Sequence, residues 1–415
     1  GWKDEHFVDR AQNNYMLSLD TMLNEPFIMS HSESWTVRAS LEPIRRMRLD
    51  VNMDYANTKN SNEYYRWMED EQYFRNVNSM VTGNFTMSTL TLGTAFEPIE
   101  SGDNQSETFE RFSEYRKVIA ARRAKNHPGA DPEVVNEEGY PEGYGRLSQD
   151  VLIPAFRAAY SVRDVKSITL NNTPGILESI PLPNWRLTYD GFAKLPFVKD
   201  YIRTATIMHT YRSSYNIGSY SSRPDDLYRE QDDGYNYIKD ANNNYFSQYE
   251  INSISITEQF SPLLGIDLKW KNSLITKVEV KKSRNLTMSL SNNQLTENRT
   301  DEYIIGGGYR IKDVKITIGS LRGSKKRTYN SDLNLRLDFS IRNSLTMLRK
   351  LEEEVNQATS GSTSIAINTS ADYVLSDRFN LRLFYKHNIN KPKVSQSYDN
   401  SNIDFGFSVT FTLAS

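Results

Sequence analysis

The strongest constraint on the fold is a strict alternation of apolar and polar residues near the end of the chain. From 403 to 413 every odd position is apolar and every even position is small or polar. Successive side chains of a β-strand point to opposite faces, so this segment predicts a strand with one apolar and one polar face. Gly406, Val409 and Phe411 also fit the loose spacing by which barrel-assembly machinery recognises client strands. We therefore predict a barrel-closing strand with these three residues as its assembly signal.

The same alternation recurs over 333–347, 364–375, 379–386 and 45–55. Several of these runs reach the roughly 9–11 residues that a membrane-crossing strand needs, whereas strands of globular proteins centre near 5–6 residues. We predict that one face of the strands contacts lipid and the other lines an aqueous lumen. The predicted lipid-facing residues are Leu333, Leu335, Leu337, Phe339, Phe405 and Phe407. The predicted lumen-facing residues are Arg336, Asp338, Arg342 and Asp404.

Composition restricts the remaining classes. Mean hydropathy is -0.64, and no stretch approaches the roughly 18 apolar residues of a membrane helix, but strands with one wet face average out as polar. The formal net charge of -2 argues against nucleic acid as a partner. Cysteine is absent, which excludes disulfides and thiolate chemistry. The 25 tyrosines suit the interfacial girdles of outer-membrane barrels, and they also suit carbohydrate-binding β-proteins.

The chain divides into three regions. Residues 1–100 carry predicted barrel strands at 35–43, 45–55 and 79–96, with a polar aqueous loop at 57–72. Residues 101–180 form a predicted helical insertion, in a loop or in the lumen, with helices from Ser106 to His127 and from Ser148 to Tyr160. Residues 181–415 return to barrel strands and end in the barrel-closing strand. Their hydrophilic turns are predicted at 292–300, 323–331 and 349–361. The chain starts without an initiator Met or a signal peptide, so we interpret it as a fragment or a processed product.

No catalytic or cofactor-binding pattern is found. The five histidines are far apart in sequence and show no metal-ligand spacing, so we expect no metal, no cofactor and no enzymatic activity. Gly306, Gly307 and Gly308 lie inside a strand pattern, where glycine indicates a bend or a close backbone approach. Lys281, Lys282 and Arg284 interrupt another strand. We expect them outside the hydrocarbon or facing the lumen, because a charge on the lipid face at mid-bilayer costs about 2–4 kcal/mol.

Several segments resemble the C-terminal part of the SprA/Sov family, the outer-membrane translocon of the type 9 secretion system in Bacteroidetes. The resemblance extends from Ser34 to Ser415. The segments are LPNWRLTYDGFAKL (182–195), HTYRSSYNIGSY (209–220), NLTMSLSNNQLTE (285–297), GGGYRIKDV (306–314), RKLEEEVNQATSG (349–361) and NLRLFYKHNINKP (380–392).

The resemblance implies an all-β fold, an antiparallel section of a very large transmembrane β-barrel in the bacterial outer membrane. It implies export of folded proteins that carry a C-terminal signal domain, and of gliding adhesins in motile species. The implied partners are those cargo proteins, a PorV-like barrel, a periplasmic plug protein, the barrel-assembly machinery and the lipid bilayer. It further implies that this chain alone lacks the strands that close the pore. The residues leave open a porin or nutrient-transporter barrel, a soluble β-rich glycan-binding or adhesin domain, and, more weakly, a barrel enzyme.

Overall fold

The computed structural model describes residues 7–99, 104–175, 178–318, 327–353, 355–376, 379–394 and 398–411. Thirteen strands and three α-helices form the fold within these ranges. The helices are α1 (Phe7–Asn13), α2 (Glu107–Asn126) and α3 (Gln149–Tyr160). The strands are β1 (Phe27–Leu41), β2 (Met47–Met68), β3 (Tyr73–Ser88), β4 (Asn184–Tyr189), β5 (Ile202–Ser222), β6 (Tyr249–Ile251), β7 (Ser253–Trp270), β8 (Leu274–Ser289), β9 (Gln294–Ile318), β10 (Arg327–Lys350), β11 (Val355–Ser376), β12 (Phe379–Pro392) and β13 (Asn400–Phe411).

All thirteen strands belong to one sheet. Eleven of them follow a single path in the order β1, β2, β3, β5, β7, β8, β9, β10, β11, β12, β13. The short β4 pairs with β2 and β5, and β6 pairs with β5. Every pairing is antiparallel. The fold is therefore mostly β, with a large antiparallel sheet and few helices.

The strands are longer than the alternation predicted. The predicted loop at 57–72 is wrong, because β2 runs unbroken to Met68 and is hydrogen-bonded to β1 and β3 on its two sides. This segment contains no glycine or proline, so nothing in it interrupts the ladder even though both its faces are polar. Likewise β9 starts at Gln294 and β11 starts at Val355, inside two of the predicted turns. The third predicted turn lies partly outside the described residues.

Irregularities in the alternation do not end the longer strands. β7 continues past Phe260 with a bulge, and β9 continues past Tyr309 to Ile318. The predicted strand at 79–96 instead ends at Ser88. A β-bulge keeps a strand continuous while one side of its ladder shifts, so a local dip in the alternation does not end the strand.

The two predicted helices of the insertion are present. Ser106 caps α2, its side-chain oxygen accepting a hydrogen bond from the Phe109 N–H, which satisfies a donor that the helix cannot. Phe112 of α2 and Phe156 of α3 meet edge to face at 6.3 Å. Both helices share one core with the sheet, which includes Tyr55 and Leu286. In the described part of the chain, no helix has the length and apolar character needed to cross a membrane.

Candidate functional site: the two faces of the sheet

The register brings the predicted lipid-facing residues onto one face. In antiparallel pairs, residues directly opposite each other share a face. We call a set of residues that lie opposite one another on successive strands a row. Leu337 lies in one row across β10 to β13, and Leu335 lies in the adjacent row of the same face. The first row is Leu337, Thr369, Tyr385, Phe405, and the second is Leu335, Ala371, Leu383, Phe407. Leu333 and Phe339 occupy the flanking rows of the same face, which we call the apolar face.

The apolar face carries a band of even height across β9 to β12, and on β13 the band begins one row later because Ser401 lies opposite Ile389. On β10 the band extends from Leu333 to Ile341, eight residue steps or about 26 Å at the usual strand rise. The residues opposite both edges of the band are also apolar on β11 and β12. They are Tyr373 and Leu381 at the Leu333 edge, and Ile365 and Ile389 at the Ile341 edge. Large side chains in it are open to the surroundings: Leu337 is 49% exposed and Phe407 is 75% exposed. A height of about 26 Å matches the apolar band of outer-membrane barrels, about 25 Å.

The predicted lumen-facing residues share the opposite face, which we call the polar face. Asp338 and Asp404 lie in one row that crosses seven strands, from β7 to β13. The row is Asp267, Lys277, Gly306, Asp338, Asn368, Lys386, Asp404. Arg336 lies on the same face in the adjacent row, and Arg342 lies on it two rows away on the other side.

Charges of both signs are paired along the polar face. Lys281 lies 3.5 Å from Glu279 and 3.7 Å from Glu302, and Lys277 lies 3.0 Å from Glu279. Gly306 fits this face closely, since a Cβ placed on it would be 2.9 Å from the Asp338 carboxylate. The group that comes close to Gly306 is therefore a side chain and not the predicted neighbouring backbone, and the missing side chain of Gly306 leaves space between charged neighbours.

The three assembly-signal residues lie at the outer edge of the sheet on β13. Val409 pairs with Leu381 and Phe411 with Phe379, so both are on the apolar face and exposed. Gly406 lies on the polar face beneath the Phe384 ring. Leu413, the last apolar position of the alternation, lies outside the described residues. Whether these residues act in assembly stays a prediction.

The helical insertion covers the apolar face, beyond one end of the band. Tyr55, in the interior of β2, and Leu286, near the end of β8, lie on the apolar face and pack in the same core as Phe112 and Phe156 of the helices. Whether the insertion lies in a loop or in the lumen stays a prediction.

A buried ion pair that the alternation did not identify joins the sheet to the segment before the insertion. Arg284 lies 3.0 Å from Glu258, and each side chain is 2% exposed. The Arg284 guanidinium also donates to the backbone oxygen and the hydroxyl of Thr94, both at 2.7 Å. Glu258 accepts a further hydrogen bond from the Thr91 hydroxyl. In the sequence, the break in the alternation around Arg284 was the signal that pointed to this ion pair. The strand register places Arg284 on the apolar face beyond the end of the band, and it places Lys281 on the polar face.

A second buried arginine corrects the predicted solvated turn at 349–361. Arg349 is completely buried, and its guanidinium donates to the Asn104 backbone oxygen at 2.8 Å. It also lies 3.5 Å from Glu297 and 4.8 Å from the centre of the Phe109 ring. Arg349 is therefore an anchor for the start of α2. An arginine at a strand end can reach a neighbouring segment through its long side chain, which sequence alternation does not reveal.

Burial also perturbs titration within the insertion. Desolvation lowers the pKa of Arg157 and raises the pKa of Tyr160, both on α3. Arg157 is held by the Asn171 backbone oxygen at 3.1 Å. On the surface, a hydrogen bond from Lys239 lowers the pKa of Glu142. These groups support the packing of the insertion and do not converge on a reacting centre.

The histidines hold structural contacts. His209 Nδ1 lies 2.6 Å from the Leu263 carbonyl oxygen, and because a carbonyl can only accept, Nδ1 is the donor. His127 stacks on Tyr245 with ring centres 4.1 Å apart. Within the described ranges, no group of three or more His, Cys, Asp or Glu side chains could hold a metal ion. The predictions of no cofactor and no enzymatic activity stay predictions.

Comparisons with known proteins give only distant similarity. No protein-family model matches the chain, and no curated protein matches it. Among solved structures, OmpT of Vibrio cholerae, an outer membrane protein, aligns over 94% of this chain and 100% of its own, with 8% identity and a TM-score of 0.22. An anion-selective porin from Comamonas acidovorans aligns over 93% and 98%, with 7% identity and a TM-score of 0.12. At TM-scores this low, neither alignment supports a conclusion about the function of this chain.

Proposed function

We propose that this chain is a section of a protein-conducting outer-membrane barrel, of the type 9 secretion translocon kind that its motifs resemble. The observation that carries the proposal is the pair of opposed faces on β9 to β13. One face has an exposed apolar band about 26 Å high, and the other is rich in charge. A sheet with these faces suits a wall between lipid and water. The chain would then work by forming a conduit, without catalysis.

The balance of charge on the polar face favours a wide, unselective conduit. Pores that select by side-chain charge carry rings of charged residues of one sign. Here Lys277, Glu279 and Lys281 alternate along β8, and Lys386 faces Asp404 across β12 and β13. A pore wall that carries charges of both signs gives no preference for anions or cations. Such a wall suits the passage of folded proteins with varied surfaces. Such a pore must also be wide, and barrel diameter grows with strand number.

The implied partners belong to the same proposal. Cargo with a C-terminal signal domain would pass along the polar face. A PorV-like barrel and a periplasmic plug protein would occupy the pore in turn. Barrel-assembly machinery would insert the chain, and the outer membrane would surround its apolar band. A porin or nutrient transporter is the alternative that shares the two faces.

Controlled depletion of the protein in the producing cells tests the proposal. We expect proteins with C-terminal signal domains to disappear from the medium and accumulate in the periplasm, as measured by quantitative mass spectrometry of both fractions. Uptake of small solutes, measured in parallel, should not change. Normal secretion together with reduced solute uptake would instead establish the porin alternative. Recovery of the chain in the detergent-free soluble fraction would refute the membrane location.

A further inference from the structure

An open cleft between the helical insertion and the segment 228–249 has the character of a ligand site. Its volume is about 450 Å³, within the range of roughly 300–1,000 Å³ typical of small-molecule sites. It lies where the end of α2 and the start of α3 meet the segments around 171 and 228–249. The side chains that matter for the argument are Tyr144, Tyr228, Tyr235, Tyr245, Asn172 and Gln248. The cleft is thus lined by aromatic rings and amides.

The charges within the cleft neutralise each other. The Arg123 guanidinium lies 3.6 Å from the Asp150 carboxylate and donates to the Asp150 backbone oxygen at 3.2 Å. Asn172 donates its amide N–H to the same carboxylate at 2.9 Å. With one cation paired to one anion, the cleft offers no net charge to attract a phosphate, a metal ion or a charged peptide. A neutral ligand fits it best.

One buried acceptor in the cleft has no partner. The Asn172 side-chain oxygen is shielded from solvent and accepts no hydrogen bond from the described residues. A buried acceptor without a donor costs about 1–3 kcal/mol. In the structure as it stands this oxygen is closed to solvent, so a ligand hydroxyl would reach it only after the Asn172 side chain rotates toward the cleft. A ligand rich in O–H groups would then supply the missing donor.

We propose that this cleft binds a neutral saccharide. A pyranose ring has an apolar C–H face that stacks on tyrosine rings, and a rim of hydroxyls that hydrogen-bonds to amides. Tyr235 and Tyr228 supply partly exposed rings, while Asn172 and Gln248 supply the amide groups. The saccharide could belong to a cell-surface polysaccharide or to a glycoprotein, and the chemistry is the same for both. The proposal does not rest on the proposed function of the sheet.

Two tyrosines provide a matched pair for the test. Tyr235 and Tyr237 both pack edge-on against His127 with ring centres 5.0 Å apart. Only Tyr235 lines the cleft. Tyr235→Ala therefore removes a cleft ring, and Tyr237→Ala removes an equivalent ring outside it. Tyr235→Phe keeps the stacking ring and should keep the binding.

The experiment measures fluorescence anisotropy of labelled saccharides with the purified full-length chain in detergent micelles. One arm uses neutral polysaccharide released from the producing cells, and the other uses neutral glycans released from their secreted proteins. We expect saturable binding in at least one arm, which identifies the source. Tyr235→Ala and Asn172→Leu should each weaken it roughly tenfold, while Tyr237→Ala and Tyr235→Phe should stay within about twofold of the unmodified chain. Absence of binding in both arms up to millimolar saccharide, or equal loss with Tyr237→Ala, would overturn the proposal.

Discussion

Replacing Leu337 by arginine tests whether the apolar band is immersed in lipid. Leu337 is the central position of the band, four residues from Leu333 and four from Ile341. This distance is about 13 Å along the strand in each direction. Its side chain is half exposed on the apolar face, so the arginine would project into whatever surrounds that face.

The expected cost depends on depth. An arginine on the lipid face costs about 2–4 kcal/mol at the bilayer midplane and about 0–1 kcal/mol near the interfaces. Leu337→Arg should therefore lower the free energy of unfolding by about 2–4 kcal/mol, and Leu333→Arg or Ile341→Arg by much less. Asn368→Arg is the matched control, because Asn368 faces Asp338 on the polar face, where an added positive charge meets a carboxylate.

The assay is urea unfolding of the purified full-length protein in phospholipid vesicles, followed by tryptophan fluorescence. A loss of unfolding free energy that is largest for Leu337→Arg, together with an unchanged value for Asn368→Arg, would support a lipid-facing band. A soluble protein would tolerate arginine at an exposed leucine equally well at all three positions. Equal and small changes at Leu333, Leu337 and Ile341 would therefore refute the reasoning.

Three further perturbations address other parts of the chain. Phe411→Asp should reduce the amount of protein in the outer membrane, measured by immunoblot, whereas Thr410→Asp on the other face should not; equal levels would remove the assembly-signal hypothesis. Arg284→Met should destabilise the chain by about 3–5 kcal/mol, because Glu258 is left as an unpaired buried charge, and adding Glu258→Leu should restore most of the loss in a denaturation curve. Glu142 has a lowered pKa, so its stabilising contribution is present above its unfolded-state pKa and is lost as pH falls through the folded-state pKa. The stability difference between the unmodified chain and Glu142→Gln should therefore vanish in acid, and a difference that persists there would contradict this ion pair.

Sequence alternation predicted the two faces well, because the side-chain period of a strand is two and each run carried its own face assignment. The alternation could not predict which residues lie opposite one another on neighbouring strands, because the pairing of Leu337 with Thr369 depends on turn lengths that the pattern does not reveal. It also failed at 57–72, where both faces are polar and the strand is held by its neighbours on each side. The position of the insertion was hidden as well, because it depends on distant contacts such as Arg349 with Asn104.

The direction of the edge strands limits how this sheet can be completed. Ten successive antiparallel pairings connect β1 to β13, so the two outermost strands run the same way. They cannot join each other in an antiparallel pair. Copies of this sheet arranged around an axis along the strands would meet the same obstacle, since β13 of one copy would lie parallel to β1 of the next. A fully antiparallel ring therefore requires an odd number of additional strands beyond these eleven.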